Sequence, residues 1–531
     1  MAESGQIIAG FTIKDKQWVE EIGAHVLLGE HIGTGAQLAV VECDDDNKVF
    51  MATFRTPVSD HTGVPHIIEH SVLNGSRKYP VKEPFLELLK GSLYTFLNAF
   101  TYPDKTCYPV ASRNAEDFQN LMDVYLDAVF HPLLSENTFL QEGWHYDLEE
   151  TDGPLTYSGV VYNEMKGVFS DPESMLSEEM DRVLFPDSNY GLSSGGNPDH
   201  IPELTYEGFC KFHRDFYHPS NARLYLYGDI DVEERLTHLD NYLQHFKRCE
   251  VKSDIRKQPR LDMPTTHVCR YPVTPGSDVA RKTYALKCWM LEDSTDPVYY
   301  LSMNVLAHIL CGTQASPLRK ALIDSKLGED CLADGFEEDI LQTYFGIGLK
   351  GTDADSVPDM ERVINETLEK LVRDGLEPRV IEASLNTIEF SLREANFGSY
   401  PKGLIFGLIM LNSWIYDADP LMHLRYEPTL AAIKEGIARG NYFEGLIQKH
   451  LLDNQHQVTL TMVPDEQMEE REREDQQTHL ATLKAAMPPE DIQAILKQCD
   501  DLEEAQLEPD TPEALATLPK LKVSSIDRQA E

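Results

Sequence analysis

The chain has 531 residues, of which 41% are apolar and 26% are charged, a composition typical of a globular protein and not of a disordered one. Its 47 Lys and Arg against 89 Asp and Glu give a formal net charge of −42. So acidic a chain is repelled by phosphate backbones and anionic lipid surfaces, which disfavours nucleic acid or a membrane as its main partner.

Apolar runs are short: the longest, 404–411, contains Gly407 and falls far below the roughly 20 residues that span a bilayer. The N-terminus shows neither a basic segment followed by an apolar one nor an Arg-rich pattern. The nine cysteines are odd in number and form no C-x-x-C pair, which is typical of a reducing compartment. We therefore predict a cytoplasmic protein, or an organelle-matrix protein if a presequence has been removed.

The first part of the chain predicts an α/β unit that begins with short strands and continues with helices. A long amphipathic helix and a final apolar strand are the clearest elements. The predicted elements are strands over 25–28, 37–42, 49–55 and 221–227, mainly helical structure over 66–150, and an amphipathic helix over 114–130.

A polar, Pro-punctuated stretch at 252–267 marks a boundary, after which strand and helix alternate again. Residues 211–230 and 445–465 share the order helix, polar turn, apolar strand, about 235 positions apart, which predicts two similar units in tandem. Beyond them lies a charged tail that Pro488 and Pro489 divide into two helices. The predicted divisions are 1–260 and 261–465 for the two units and 466–531 for a helical hairpin.

The sharpest chemical feature is His66-Ile67-Ile68-Glu69-His70, which follows Pro65. On a helix, His66 and His70 share one face and can bind one metal ion, and Glu69 lies on the same side. The order H-x-x-E-H is a zinc-peptidase signature. The alternative is a helix that merely exposes two histidines and a glutamate, but the isoleucines inside the motif favour a helix packed on a core.

A catalytic zinc needs a third protein ligand and leaves one position open. Spacing alone does not choose among six candidates, which are Glu142, His145, Glu149, Glu150, Glu164 and Glu173. Motifs of three other kinds of site are incomplete or missing. Gly33-Thr34-Gly35 lacks the third glycine of a dinucleotide-binding loop, and 191–196 lacks the Gly-Lys-Ser/Thr of a P-loop. The Gly-x-Ser-x-Gly of a nucleophile elbow does not occur.

Long stretches resemble the presequence-protease branch of the pitrilysin-type (inverzincin, M16) peptidases. They are HTGVPHIIEHSVLNGSRKYPVKEPFLELLKGSLYTFLNAFTYPDKTCYPVASRN, EGWHYDL, GVVYNEMKGVFSDP and GGNPDHIPELTYEGFCKFHRDFYHPSNARLYLYGDI. The resemblance covers essentially the whole chain. It implies an α/β (α+β) fold of two tandem homologous units, each a mainly antiparallel sheet with packed helices, followed by the helical hairpin.

The resemblance also implies a site. Glu164 is then the third ligand of one Zn²⁺ per chain, and Glu69 is the catalytic base. One anionic and two neutral ligands leave such a site net positive, which lowers the pKa of water. The implied substrate-binding residues, on an edge strand that pairs with peptide backbone, are Asn98, Ala99, Phe100 and Thr101. A buried structural strand is the alternative, and His61, His145 and His218 are expected in the core or beside the ligands.

Members of this family are about twice as long, and their second half supplies an arginine and a tyrosine near the scissile carbonyl. This chain matches the first half and the hairpin. We therefore predict a zinc metalloendopeptidase that degrades unstructured peptides. The alternatives are a catalytically dormant half that binds zinc and peptide and needs a separate C-terminal half or self-association, and a structural zinc protein, which the open fourth position disfavours.

Overall fold

The computed structural model describes residues 4–526, the side chains of 333 and 334 excepted. Its strands are β1 (Ile7–Ile8), β2 (Phe11–Val19), β3 (Ala24–His31), β4 (Gln37–Glu42), β5 (Lys48–Arg55), β6 (Tyr94–Leu97), β7 (Phe100–Thr101), β8 (Lys105–Ser112), β9 (His145–Asp147), β10 (Thr156–Ser158), β11 (Ala222–Gly228), β12 (Thr265–Pro272), β13 (Thr283–Asp293), β14 (Asp330–Glu337), β15 (Gln342–Thr352) and β16 (Gln457–Asp465).

The helices are α1 (Val64–Val72), α2 (Pro84–Gly91), α3 (Ala115–Phe130), α4 (Glu136–Glu142), α5 (Val160–Val168), α6 (Pro172–Leu184), α7 (Tyr206–Phe216), α8 (Val232–Leu243), α9 (Pro297–Cys311), α10 (Pro317–Ser325), α11 (Val357–Asp374), α12 (Pro378–Glu394), α13 (Lys402–Trp414), α14 (Tyr426–Arg439), α15 (Tyr442–Ile447), α16 (Met468–Ala486), α17 (Pro489–Leu507) and α18 (Pro512–Leu515). No described helix is both long enough and apolar enough to cross a membrane.

Capping side chains and a proline mark the starts of helices α3 and α9. Asn114 caps α3 by accepting a hydrogen bond from the Asp117 backbone N–H, and Asp296 caps α9 in the same way. Proline occupies the first turn of α9, where its missing N–H is not needed. The amphipathic helix predicted over 114–130 is therefore confirmed as α3.

Two sheets form the framework of the described chain. The first has nine strands in the order β1-β2-β3-β4-β11-β5-β8-β6, with β7 also paired to β8. The second has the order β12-β16-β13-β15-β14. In the first, β11 is parallel to β4 and antiparallel to β5; in the second, β16 is parallel to β12 and antiparallel to β13. The predicted repeat of two mainly antiparallel α/β units is confirmed by this shared order.

The two units exchange helices across their boundary. The α13 helix follows the second unit's strand β15, yet its Leu404 and Met410 pack on the first sheet with Val41 and Met51. Gly403 makes this approach possible, because a Cβ there would lie 2.1 Å from the Tyr227 ring. In return, α6 of the first unit packs on the second sheet. The strands of the first sheet all precede residue 229 and those of the second all follow residue 264, whereas the packing of α6 and α13 joins the two units.

The predicted hairpin is confirmed as α16 and α17, which meet at Pro488. Leu480 of α16 packs with Leu148 and Leu155 beside the short sheet of β9 and β10. The Gln476 side chain also donates a 3.0 Å hydrogen bond to the Tyr162 hydroxyl. The hairpin thus rests on the first unit.

Candidate metal centre

Helix α1 places the predicted ligands by burying its opposite face. Ile67, Ile68 and Val72 have no exposed surface and pack in the core of the first unit. The side chains at 66, 69 and 70 therefore turn away from that core. Gly63, with φ of +68°, starts the helix, and a Cβ there would lie 2.5 Å from the Gly195 carbonyl oxygen. A loop at 189–197 thus lies directly on the start of α1.

His66, His70 and Glu164 come together, although almost a hundred residues separate the histidines from the glutamate. His66 Nε2 lies 3.8 Å from Glu164 Oε1, and His70 Nε2 lies 3.7 Å from Glu164 Oε2. Among the residues that the structure describes, these three form the one group whose potential metal-ligating atoms all lie within 4.8 Å of one another. Glu164 stands on α5, which buries Val161 and Met165 beneath it.

The other ring nitrogen of each histidine already has a partner. His66 Nδ1 donates to the Gly195 carbonyl oxygen at 3.1 Å, and His70 Nδ1 donates to Glu142 Oε2 at 3.3 Å. Such outer bonds fix the tautomer and point Nε2 at the ligand position. Two neutral imidazoles and one carboxylate are a donor set that suits Zn²⁺, so the residues present fit this metal.

Glu142 is nearly enclosed, with 6% of its surface exposed. Its Oε1 accepts hydrogen bonds from Asn74 at 2.6 Å and from Gln141 at 2.9 Å. Burial disfavours a charged His70, but the hydrogen bond to Glu142 and the negative charges of Glu69, Glu142 and Glu164 outweigh it and raise the His70 pKa. The carboxylates that favour a positive charge on His70 also favour a bound cation at this place.

Glu69 lies outside the group of three. The Thr101 hydroxyl of β7 donates a 3.0 Å hydrogen bond to Glu69 Oε2. This bond holds the carboxylate. The negative charge of Glu69 also raises the pKa of His70, so the Glu69 side chain lies close to the group of three.

The other candidates from the sequence have different surroundings. Glu142 is the partner of His70 Nδ1, and Glu173 pairs with Lys350 at 2.8 Å. His145 Nδ1 donates to the Leu140 carbonyl oxygen at 2.7 Å. None of the six except Glu164 joins the two histidines within the described residues. His61 and His218 likewise lie outside the group, where each accepts a nearby backbone N–H.

The stretch predicted to bind substrate lies at the edge of the first sheet. It is not one strand: β6 ends at Leu97 and β7 begins at Phe100, with Asn98 and Ala99 between them. Both strands pair with β8 on one side, and no described strand pairs with their other side. Ala99 is buried and Asn98 is exposed, so both the substrate-binding and the structural interpretation stay predictions.

The roles of two contributors to the site could not be predicted from the sequence. Glu142 is one of the six candidate ligands there, and only the fold shows that it accepts the hydrogen bond of His70 Nδ1 instead. The Gly195 carbonyl leaves no signal in the sequence, because any residue has a carbonyl. Its neighbour Gly196, with φ of +101° and close to Ile201, marks the tight loop that delivers it.

Three family models match the chain. The model described as "Insulinase (Peptidase family M16)" matches 56–153, and "Peptidase M16 inactive domain" matches 203–388. The third describes a region associated with the C branch of the M16 peptidases and matches 462–531. The first covers α1, the second covers much of the second unit, and the third covers the hairpin.

Relatives match along nearly the whole chain. Presequence protease 1 (chloroplastic/mitochondrial) of Arabidopsis thaliana is 46% identical over 528 residues, which are 98% of this chain and 49% of the relative. Protein HypA of Clostridium perfringens is 43% identical over 531 residues, 99% of this chain and 54% of the relative. The chain thus spans about half the length of these curated relatives.

A protease structure from Helicobacter pylori has the same fold, with a TM-score of 0.64 at 16% identity, over 81% of this chain and 98% of that one. The motif on α1, the family models and the relatives all agree. The chain therefore belongs to the peptidase M16 family, and its relatives include the presequence proteases.

Proposed function

We propose that this chain is the zinc-binding half of a metalloendopeptidase that degrades unstructured peptides. The observation that carries the proposal is the convergence of His66 Nε2, His70 Nε2 and the Glu164 carboxylate, with both Nδ1 atoms already bonded. The presequence proteases among its relatives support the same chemistry.

Each residue has a distinct role in this proposal. A bound Zn²⁺ would polarise the scissile carbonyl and make water more acidic. Glu69 accepts a proton from the attacking water and delivers it to the nitrogen of the leaving amine. The hydrogen bond from Thr101 would hold the Glu69 carboxylate in place for this role. Glu142 and the Gly195 carbonyl hold the two imidazoles in place.

The edge at Asn98 to Thr101 supplies the peptide-binding part of the proposal. An extended peptide can pair with the free side of this edge through backbone hydrogen bonds, which demand little of its sequence. Pairing there would bring its backbone beside Thr101 and hence beside Glu69. Unfolded peptides are therefore the proposed partners, and the net charge of −42 favours basic ones.

A second candidate follows from the length of the relatives, of which the chain covers about half. In this alternative the chain binds zinc and peptide but is dormant until a C-terminal half, or a second copy of the chain, completes the site. The zinc ligands would then be present while part of the stabilisation of the transition state comes from outside the chain.

The experiment is cleavage of a fluorogenic, unstructured peptide by the zinc-loaded chain, with Glu69→Gln as the control. We expect turnover that the substitution lowers by about 100-fold or more, since it removes the general base. Zinc binding without turnover would support the dormant half. A chain that binds no zinc, or turnover that survives Glu69→Gln, would contradict the proposed function.

A further inference from the structure

A fully buried ion pair lies between the two units, outside the candidate metal centre. Lys105 Nζ is 3.3 Å from Asp104 Oδ1, and the two side chains are 2% and 0% exposed. Lys105 also donates a 2.6 Å hydrogen bond to the Asp339 carbonyl oxygen of the second unit and lies 4.5 Å above the Tyr102 ring. Burial opposes the charge on Lys105, but Asp104 and Asp339 outweigh it and raise its pKa.

The second carboxylate oxygen of Asp104 extends the contact. It accepts hydrogen bonds from the hydroxyls of Tyr190, at 2.6 Å, and Tyr416, at 2.7 Å. The Tyr190 hydroxyl in turn accepts the Leu341 backbone N–H at 2.9 Å. We call Asp104, Lys105, Tyr190, Tyr416 and the Asp339 backbone the Asp104–Lys105 network. Tyr416 and Asp339 come from the second unit, and the rest come from the first.

One arm of the network reaches the proposed base. Asp104 and Lys105 end the turn between β7 and β8, which is closed by a hydrogen bond from Tyr102 N–H to the Lys105 carbonyl. Thr101, the residue before this turn, donates to Glu69. The position of the Glu69 partner thus depends on a turn whose far end is fixed by the buried pair.

The other arm reaches a proposed ligand. Tyr190 begins the loop that continues to Gly195, whose carbonyl accepts from His66 Nδ1. Gly63 lets this loop lie against α1. Both the base and one imidazole are therefore held by segments that are anchored in the same network.

We propose that Asp104 and Lys105 are positioning residues through which the second unit sets the geometry of Glu69 and His66. The inference rests on the proposed function for its catalytic meaning. A buried ion pair is weak evidence of stability, since apolar residues of the same size often give an equally stable fold. Its fixed geometry instead favours one relative position of the segments that it joins. Here those segments are a turn, a loop and the neighbouring unit.

The test compares Lys105→Met with Lys287→Met. Lys287 is a matched control: it is also a buried lysine of a strand, 3.6 Å from Glu361 and 5.3 Å above a Trp289 ring, but it lies in the second sheet. In Lys105→Met we expect hydrogen exchange at 97–102 and 190–196 to rise about 10-fold or more relative to the control. We also expect zinc affinity to fall about 10-fold, as for loss of an outer partner of a ligand. If the chain turns over peptide, kcat should fall with little change in KM.

Equal changes in both variants, or none at these two segments, would overturn the inference. If Lys105→Met does not fold, Tyr416→Phe removes one hydroxyl donor to Asp104 and should give the same local pattern with a smaller amplitude. Failure of the proposed function is seen separately, as an unsubstituted chain that binds no zinc, and the exchange pattern still decides whether the network holds the two segments.

Discussion

In each α/β unit a helix follows the strand next to the shared parallel pair: α1 follows β5, and α9 follows β13. α1 buries its isoleucines and turns His66, Glu69 and His70 outward. α9 buries most of its length, including Met303, in the core of the second unit. The model described as an inactive domain matches 203–388, a range that includes α9 and not α1. The comparison shows that the shared core can be repeated without the site, which depends on three side chains of one helix and one of another.

The largest expected effect is a loss of zinc affinity when a histidine of α1, but not of α9, is replaced. His66→Ala removes one of the three proposed ligands, so zinc affinity should fall by more than about 1,000-fold, beyond the about 10- to 100-fold cost of losing an outer partner. His308→Ala changes a histidine of α9 and should leave zinc affinity unchanged. Competition with a chromogenic chelator measures both. Equal affinities of the two variants would break the comparison.

The next effect concerns the carboxylate behind His70. Glu142→Gln keeps the shape but removes the charge, and we expect zinc affinity to fall about 10- to 100-fold. Glu444→Gln is the matched control in the second unit, where Glu444 is 7% exposed and accepts the Leu376 N–H. Isothermal titration with Zn²⁺ distinguishes them. If Glu444→Gln weakened zinc binding as much as Glu142→Gln, the effect would reflect a general loss of folding and not the contact between Glu142 and His70.

The exchange of helices gives a prediction about stability. Gly403→Ala places a methyl group against the Tyr227 ring and should destabilise the chain by about 1–3 kcal/mol. Gly445→Ala, in a helix with no atom within 4 Å of the new methyl, should stabilise it by about 0.5–1 kcal/mol. Urea unfolding measures both changes. Changes of the same sign in the free energy of unfolding of the two variants would contradict the close packing of α13 on the first sheet.

The smallest effect is a shift with pH. His70 must lose its proton to bind zinc, and its pKa in the metal-free chain lies above 6.5, so zinc affinity should fall as the pH drops through that raised value. For the metal-free fold the sign is opposite: a protonated His70 adds stability below pH 6.5, and this is lost as the pH rises through the raised pKa. Zinc titrations at several pH values should show that zinc affinity begins to fall at a lower pH in Glu142→Gln than in the unsubstituted chain. The same pH in both would contradict the conclusion that Glu142 raises the His70 pKa.

Local patterns predicted the elements that carry the site. The i, i+4 spacing of His66 and His70 depends only on helix geometry, and α1 has that form. The strand β2 was not predicted, because the charged residues Lys14-Asp15-Lys16 at its centre interrupt the alternation of apolar and polar residues. Antiparallel pairing with β3 stabilises it as a strand. Long-range pairing can thus impose a strand on a sequence that does not indicate one.

Contacts between distant segments could not be predicted from pattern. Spacing left six candidates for the third ligand. The family resemblance implied Glu164, and the fold shows its carboxylate beside the histidines. The placement of α13 on the first sheet and the bond from Tyr416 to Asp104 join residues hundreds of positions apart. Such contacts follow from the packing of whole units, which no local window contains.

Anomalous diffraction at the zinc absorption edge, from crystals of the zinc-loaded chain, tests the proposed metal centre directly. We expect one peak in the first unit, within about 2.0–2.2 Å of His66 Nε2, His70 Nε2 and a Glu164 carboxylate oxygen. We expect no matching peak beside α9. A zinc-loaded crystal without a peak at these three side chains, or with its peak in the second unit, would contradict the proposed metal centre.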